Sequence, residues 1–502
     1  MTVSQTPVRK IALLSAAVVL LVIAVALVWP GSGKLPRFSA PNKTAPTASP
    51  EAPFEGWWDA RKLGQPYSTK VDGLITFRGN PTRTFYGTGP IPRTTPTELW
   101  RFPKSGGLCA ISVDENGPRE WCGTGFTGQP AVFERDGRTW MVVGAYDKAL
   151  HFLDAKTGER IIDDFPTGDI IKGTVTIDPD GYPLVYSGSR DNFFHIVAFD
   201  RGKQPKELWK LSANAVSPVM WNDDWDASAL ILDDYLFEGG ENGQFHIVKL
   251  NRGYDSAGKV TVDPKLVFNT PGWDDELLRN IKDRNVSIEN TVTVVGNIVY
   301  FANSGGLVQG WDISGLKAGK DPQRVFRFWT GDDSDGSIVA DDKGFLYVGA
   351  EYERGNETSK KNGQMMKLDP RKPDNPLVWK VDDLNRSGGK GGIYDSPALY
   401  QDLIIWGTNK GDVVAVDRES GAVRWRVPLS RVHMSPVVVD GVMVVGDCTG
   451  LLNAYDIADT KAEPKLLWSI KPGACIESTP AVWKGTLYFG TRGGAIHAIG
   501  LK

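Results

Sequence analysis

Cysteine, histidine and unbalanced charge are all scarce in this sequence, and each scarcity closes off a class of function. The 502 residues hold four cysteines and five histidines. His151, His195, His246 and His497 recur at one place in a repeated unit, as residues of an alternating strand would, so no histidine metal triad is supported. His433 alone stands near a strand start. Lys and Arg number 57 against 60 Asp and Glu, a net charge of −3. With no basic cluster interleaved with aromatics, nucleic acid is excluded as a partner. Long helical patterns are also missing, whereas 56 Gly and 32 Pro call for many turns. An all-β chain is the expectation.

One long uncharged apolar run is present, Ile11 to Trp29, 19 residues. As a helix rising about 1.5 Å per residue it matches a hydrocarbon core of roughly 30 Å. It reads as a transmembrane anchor, with a cleaved signal peptide, cut near Ala24-Val25-Ala26, as the competing reading. No cysteine follows the run, which excludes a lipoprotein anchor. Arg9 and Lys10 place the tail 1–10 in the cytoplasm, an argument blunted by Lys34, Arg37 and Lys43 beyond the run. Residues 30–56 are rich in Pro, Ser, Thr and Ala and read as a flexible linker. Residues 57–97 form a lead-in and 98–502 the folded body, on the extracytoplasmic side.

That body is repetitive. Its clearest copies run from Tyr394-Asp-Ser-Pro-Ala and from His433-Met-Ser-Pro-Val. Each unit reads as four short strands. A small residue plus Pro opens the first, an aliphatic run ending in Gly forms the second, the third alternates, and Asp-x-x-[Ser/Thr]-Gly precedes a fourth bearing an aromatic residue. The aromatic landmarks are Trp100, Phe165, Trp209, Phe268, Trp329, Trp379, Trp425 and Trp468, which is eight. The sets of first to third strands are also eight, but offset: Glu98 to Phe102 precedes any first strand, and the chain ends just after a third. A single eight-bladed β-propeller closed by its N-terminal strand accounts for both tallies.

The repeats resemble the PQQ-type (quinoprotein-like) propeller repeat over nearly all of 98–502. Phe77-Arg-Gly-Asn-Pro-Thr-Arg-Thr-Phe-Tyr-Gly is similar to the segment that precedes the ring in some bacterial members. The resemblance implies one of two jobs: a dehydrogenase carrying PQQ and calcium, or a scaffold of the BamB type carrying neither. Fold alone does not choose between them.

Strand direction places Cys109, Cys122, Cys448 and Cys475 on one face of the ring. Two disulfides, Cys109 with Cys122 and Cys448 with Cys475, suit an extracytoplasmic domain, with buried free thiols as the alternative. Two positions before the Pro or its equivalent, successive first strands carry Gly128, Lys172, Asp226, Glu289, Asp335, Asp395, Met434 and Ser478. Glu477 and Asn290 stand beside this row. Carboxylates about 8 Å apart repel by roughly 2 kcal/mol at an effective dielectric near 20. Lys172, a bound cation, protonation or water must offset that. The row is therefore a candidate channel-mouth site for a ligand or cation, of Lys172, Asp226, Glu289, Asn290, Asp335, Asp395 and Glu477, against the plainer reading that the acids only solvate the mouth.

If the quinoprotein resemblance extends to chemistry, Glu289 and Asn290 match its calcium ligands in type and Asp335 or Asp226 its base; Asp226, Glu289 and Asp335 are then the metal candidates. Against it, the sequence has no vicinal Cys pair to lie over PQQ and no Cys-x-x-Cys-His haem motif. The Gly-rich stretch Gly123 to Gly128 leads into a strand where a dinucleotide site needs a helix. Most tryptophans read as core repetition, leaving Trp221, Trp225 and Trp273, in atypical inserts, as aromatics free to line a ligand site. The favoured function is a membrane-anchored binding or scaffold module contacting envelope proteins through its loops; the alternative is a PQQ- and calcium-dependent dehydrogenase of an alcohol or sugar.

Overall fold

The computed structural model describes residues 54–502, apart from 115 and 116. They form one eight-bladed β-propeller. Blade 1 runs from its first strand, Ala131–Arg135, to its fourth, Phe165–Pro166; blade 2 from Thr176–Ile177 to Lys206–Ser212. Blades 3 to 5 run from Leu230–Leu232 to Lys265–Pro271, from Thr293–Val295 to Gln323–Trp329, and from Val339–Ala340 to Leu377–Val381. Blade 6 spans Ala398–Tyr400 to Val423–Pro428, and blade 7 Val437–Val439 to Lys465–Ile470. Blade 8 takes three strands from the C-terminal end, Ala481–Trp483, Thr486–Thr491 and Ala495–Gly500, and its fourth, Thr97–Phe102, from the start of the ring. Phe102 pairs with Ile496 and Thr97 with Gly500 in that closing ladder.

The expected anchor at 11–29, with the tail 1–10 and most of the linker 30–56, lies outside the described residues. Among the described residues no helix is long and apolar enough to cross a membrane.

Two repeat motifs acquire a mechanism. The fourth-strand aromatic docks on the next blade: Trp100 Nε1 donates to Ala155 O at 2.9 Å and Trp379 Nε1 to Arg418 O at 3.1 Å. The glycine of Asp-x-x-[Ser/Thr]-Gly lets the indole close in, since a Cβ on Gly158 would fall 2.7 Å from the Trp100 ring. In blade 4 the landmark is corrected, because Phe326, not Trp329, sits at the register shift that blades 2, 3 and 5 to 8 place beside their aromatic; in blade 1 Phe165 pairs with Leu150 in a ladder without that shift.

The lead-in is the larger surprise. It plugs the channel and bonds to every blade. Gly73–Leu74 pairs with the first strand of blade 1, and Ile75 O accepts from Ile177 N in blade 2. Thr76 Oγ1 donates to Ala229 O, Pro81 O accepts from Val294 N, Thr82 O from Ala340 N, and Tyr86 Oη from Leu399 N. Gly87–Thr88 runs parallel to the first strand of blade 8, at a φ of 115° and so close that a Cβ on Gly87 would overlap Val482 O. Two fully buried arginines anchor the plug. Arg78 donates to Pro436 O (3.1 Å) and Pro397 O (2.9 Å) of blades 7 and 6, and Arg83 to Val292 O of blade 4 and to Phe77 O.

Truncating Arg78 leaves those two buried carbonyls without their donors, so Arg78→Ala is expected to cost about 2–4 kcal/mol. Arg78→Lys recovers little, because one ammonium cannot reproduce the fork. Denaturant titration of both variants checks this; a wild-type midpoint for Arg78→Ala would remove the plug as a structural element.

Candidate functional site

The end of the channel opposite the plug is a charged mouth, and its register differs from the one read in the sequence. Along blades 3 to 6, the backbone N–H at one position of the first strand donates to a hydroxyl of the next blade. Ser228 N donates to Thr291 Oγ1 (3.1 Å), Thr291 N to Ser337 Oγ (2.9 Å), Ser337 N to Ser396 Oγ (2.8 Å), and Ser396 N to Ser435 Oγ (3.0 Å). These residues are structurally equivalent. Counting two back from each gives the residues facing the mouth: Lys172, Asp226, Glu289 and Asp335, then Tyr394, His433 and Glu477.

Asp395 is therefore corrected out of the row. Prolines in blades 6 to 8 sit one residue later than their supposed equivalents, so aligning on them shifts the register by one. Asp395 is fully buried and accepts from Gly407 N at 2.8 Å. Met434 Sδ, Ser478 Oγ and Asn290 Oδ1 receive the corresponding amides of Gly446, Gly490 and Ala302. Asn290 also donates to Ala302 O and Ser334 O, so its amide is consumed inside the wall. Burial holds the Asp395 carboxyl well above its ordinary range.

A second tier comes from the turns after the second strands, two residues past the closing Gly or Ala, and the sequence reading missed it. Tyr146, Arg190, Glu241, Ser304, Glu351, Asn409, Cys448 and Arg492 stand there. That constant offset was the available signal.

The two tiers interlock. Lys172 pairs with Asp226 and lies 3.6 Å from Glu241, and Arg190 pairs with Asp224. Oxygens of Asp226, Glu241 and Glu289 lie within 4.8 Å of one another. Burial, with Asp335 and Glu241 nearby, pushes Glu289 up to about 8. Burial and the charge of Glu241 push Asp224 up to about 6. Across the mouth, Asp333, Asp335 and Glu351 are likewise raised by burial, in part by one another's charge, with Lys390 held 2.6 Å from Glu353. Glu477 goes the other way. Although burial opposes it, His433 and Arg492, the latter at 3.1 Å, hold it down at about 2. Tyr394 lies between Phe126 and His433, each ring 4.5 Å away.

Cys109 bonds to Cys122 and Cys448 to Cys475. The first staples the hairpin Cys109–Asp114 and Gly117–Cys122; the second lies beside His433 and Glu477. With both sulfurs oxidised, neither cysteine-containing cluster offers a thiolate to a metal. Of the insert aromatics, Trp225 is fully buried and Trp273 packs against Leu277 and Ile281, while Trp221 is 53% exposed.

The residues do not fit the calcium and PQQ set. Asn290 is engaged inside the wall, its Oδ1 accepting from Ala302 N and its Nδ2 donating to Ala302 O and Ser334 O, and the space among Asp226 and Glu241 is held by the Lys172 ammonium. The acidic sector already carries its cation, covalently attached.

Residues 361–502 match the family described as outer membrane protein assembly factor BamB. No curated protein matches the chain. Among solved structures, a europium-containing methanol dehydrogenase is 13% identical, with 86% of this chain and 98% of that one covered at a TM-score of 0.56. The quinohemoprotein alcohol dehydrogenase of Comamonas testosteroni is 12% identical over 86% and 81% at 0.52. BamB from Moraxella catarrhalis is 14% identical over 81% and 100% at 0.39. At these identities the likeness to the two dehydrogenases speaks for the fold alone.

Two predictions follow from the mouth. Lys172→Met is expected to cost about 3 kcal/mol, the penalty of a buried carboxylate losing its partner. Calcium should recover part of the loss in thermal melts of the variant and leave wild type unmoved; a variant indifferent to calcium would show that Lys172 is not the resident cation. Glu289 concerns pH. Below its ordinary value of 4.5 both folded and unfolded states hold the proton, and between 4.5 and about 8 only the folded state does, so stability falls as pH rises through that window and is level above it. Glu289→Gln should flatten the fall in denaturation free energy between those pH values.

Eight four-stranded blades closing on themselves make the chain a β-propeller, and over residues 361–502 its repeats are similar to those of the BamB family.

Proposed function

We propose that the protein is a binding or scaffold module of the cell envelope, tethered by residues 11–29 through the linker 30–56, with the lead-in 57–97 and the propeller 98–502 on the extracytoplasmic side. One observation carries the reading: the cationic side chains Lys172, Arg190 and Arg492 of the mouth are already committed to its acids. Lys172 answers Asp226 and Glu241, Arg190 answers Asp224, and Arg492 answers Glu477. Such a network rigidifies a face more readily than it performs proton transfer, for which a poised acid or base must reach substrate. The plugged channel leaves one open end, and the inserts that surround it supply an adaptable rim. The two disulfides support an oxidising compartment.

The dehydrogenase alternative rests on the fold of the methanol and alcohol dehydrogenases and on the cluster of Asp226, Glu241 and Glu289. The donor set speaks against it.

Photocrosslinking the full chain in intact cells tests the scaffold reading. A crosslinker in place of Leu384, exposed in the insert between blades 5 and 6, should capture a reproducible envelope protein, and one in place of Asp440, in a turn at the other end of blade 7, should not. Adducts only to the propeller itself from both positions would defeat the proposal. Binding of PQQ with calcium, seen as cofactor absorbance lost in Asp226→Asn, would replace it with the dehydrogenase.

A further inference from the structure

Between the inserts that follow blades 2 and 3 lies a cavity of about 500 Å³, walled by Met220, Trp221, Asn222, Asp223, Asn214 and Arg284. Trp221 is unusual twice over. Among the described residues it is the only tryptophan counted as exposed, and its backbone sits at a φ of 82°, in the left-handed region that disfavours a bulky side chain. Nothing in the packing of the ring demands an indole there. Strain of this kind persists only where its surroundings enforce it, and it concentrates at ligand sites.

The surroundings do enforce it. Met220 N donates to Asn242 O at 3.0 Å and Asn222 N to Glu241 O at 3.2 Å, so the backbone on both sides of Trp221 is bonded to the second-to-third-strand turn of blade 3. The Asn222 side chain donates to Asp224 at 3.0 Å and Glu241 at 2.8 Å, tying this wall to the mouth. Asn214 donates to Asp223 at 3.2 Å. The indole is thus presented by a fixed backbone. Arg284, exposed on the insert after blade 3, supplies a guanidinium to the opposite wall.

We propose that this cavity is a saccharide-binding subsite, taking a neutral pyranose unit of an envelope glycan. A flat, exposed indole fixed in place offers its face to the C–H face of a sugar ring, an amphipathic surface that an aliphatic wall would match less well. The Asp223 carboxylate, which accepts, and the Arg284 guanidinium, which donates, suit vicinal hydroxyls, which do both. Asp223 and Arg284 together bring no net charge, so neither an acidic nor a basic sugar is selected. The inference rests on the binding-module reading and names a ligand for it. It stands apart from the protein partner, which the crosslinking tests, and from the acids of the mouth.

The test uses the full chain in detergent on an array of pyranoside oligosaccharides that includes envelope polysaccharide fragments, followed by titration of the retained sugar against tryptophan fluorescence. Trp221→Gly is the decisive variant. Glycine is at ease at positive φ, so the variant should melt at or above the wild-type temperature and a binding loss cannot be blamed on unfolding. Its affinity should fall by roughly tenfold or more, the factor that ~1.4 kcal/mol of lost contact represents. Arg284→Ala should weaken the same sugar while leaving the melting temperature unchanged. Retention of no pyranoside, or of one whose affinity is unchanged in folded Trp221→Gly, would overturn the proposal. Retention of charged sugars alone would also overturn it.

Discussion

Eight first strands that converge on an axis each present an edge to the channel with no further strand beside it. An unpaired edge buried from water is costly, and one left open invites association with other chains. The protein answers this constraint along the length of the channel. At the mouth end, a circlet of Ser and Thr hydroxyls accepts from the neighbouring blades' amides, as Thr291 does from Ser228 and Ser337 from Thr291. At the other end, the segment from Gly73 to Thr88 serves as a shared ninth partner for all the blades. The buried arginines are what let one irregular segment meet eight differently placed strands. A guanidinium carries five donors in a fork, and Arg78 thereby reaches carbonyls of two blades at once.

Closure at one end gives the other its character. Polar groups that converge on a blind mouth lie in a low-dielectric setting, and each must be neutralised by a proton or a partner. Glu289 is raised toward protonation, and Asp226 is matched by Lys172. Glu477 keeps its charge because its contacts with His433 and Arg492 outweigh its burial. The acidic sector of blades 3 to 5 and the sector of blades 7, 8 and 1, stapled by its disulfides, therefore differ in how charge is met, although they share one register. A lysine in the position of an inner-strand carboxylate does covalently what a divalent ion would do by coordination.

The fold was legible in the repeats. Asp-x-x-[Ser/Thr]-Gly followed by an aromatic residue marked the fourth strands, and the offset of Glu98 to Phe102 against the C-terminal third strand identified the closing ladder. The cysteine pairs followed from strand direction, since connections at the same end of antiparallel strands lie together. The mouth was only partly legible. Lys172, Asp226, Glu289, Asp335 and Glu477 face it, but proline was a poor ruler, because its fixed φ suits either of two neighbouring positions at a strand start. Hence Asp395 was placed in the row and Tyr394 left out. The second tier escaped because Tyr146, Arg190, Glu241 and Asn409 share no chemistry, only an offset from a glycine.

The sequence by itself determined what depends on periodicity: the number of blades, the strand that closes them and the face that carries the disulfides. Tertiary structure alone decided what depends on which groups meet across long separations. It turned the stretch around Arg78 and Arg83 into a plug, gave Asn290 to the wall, and gave Asp226 to Lys172. It also held one insert tryptophan open to solvent while burying Trp225. The plug, the wall and the Lys172 pair turn on hydrogen bonds or ion pairs between residues tens to hundreds of positions apart, and no local pattern encodes which of several equally polar side chains will find its partner.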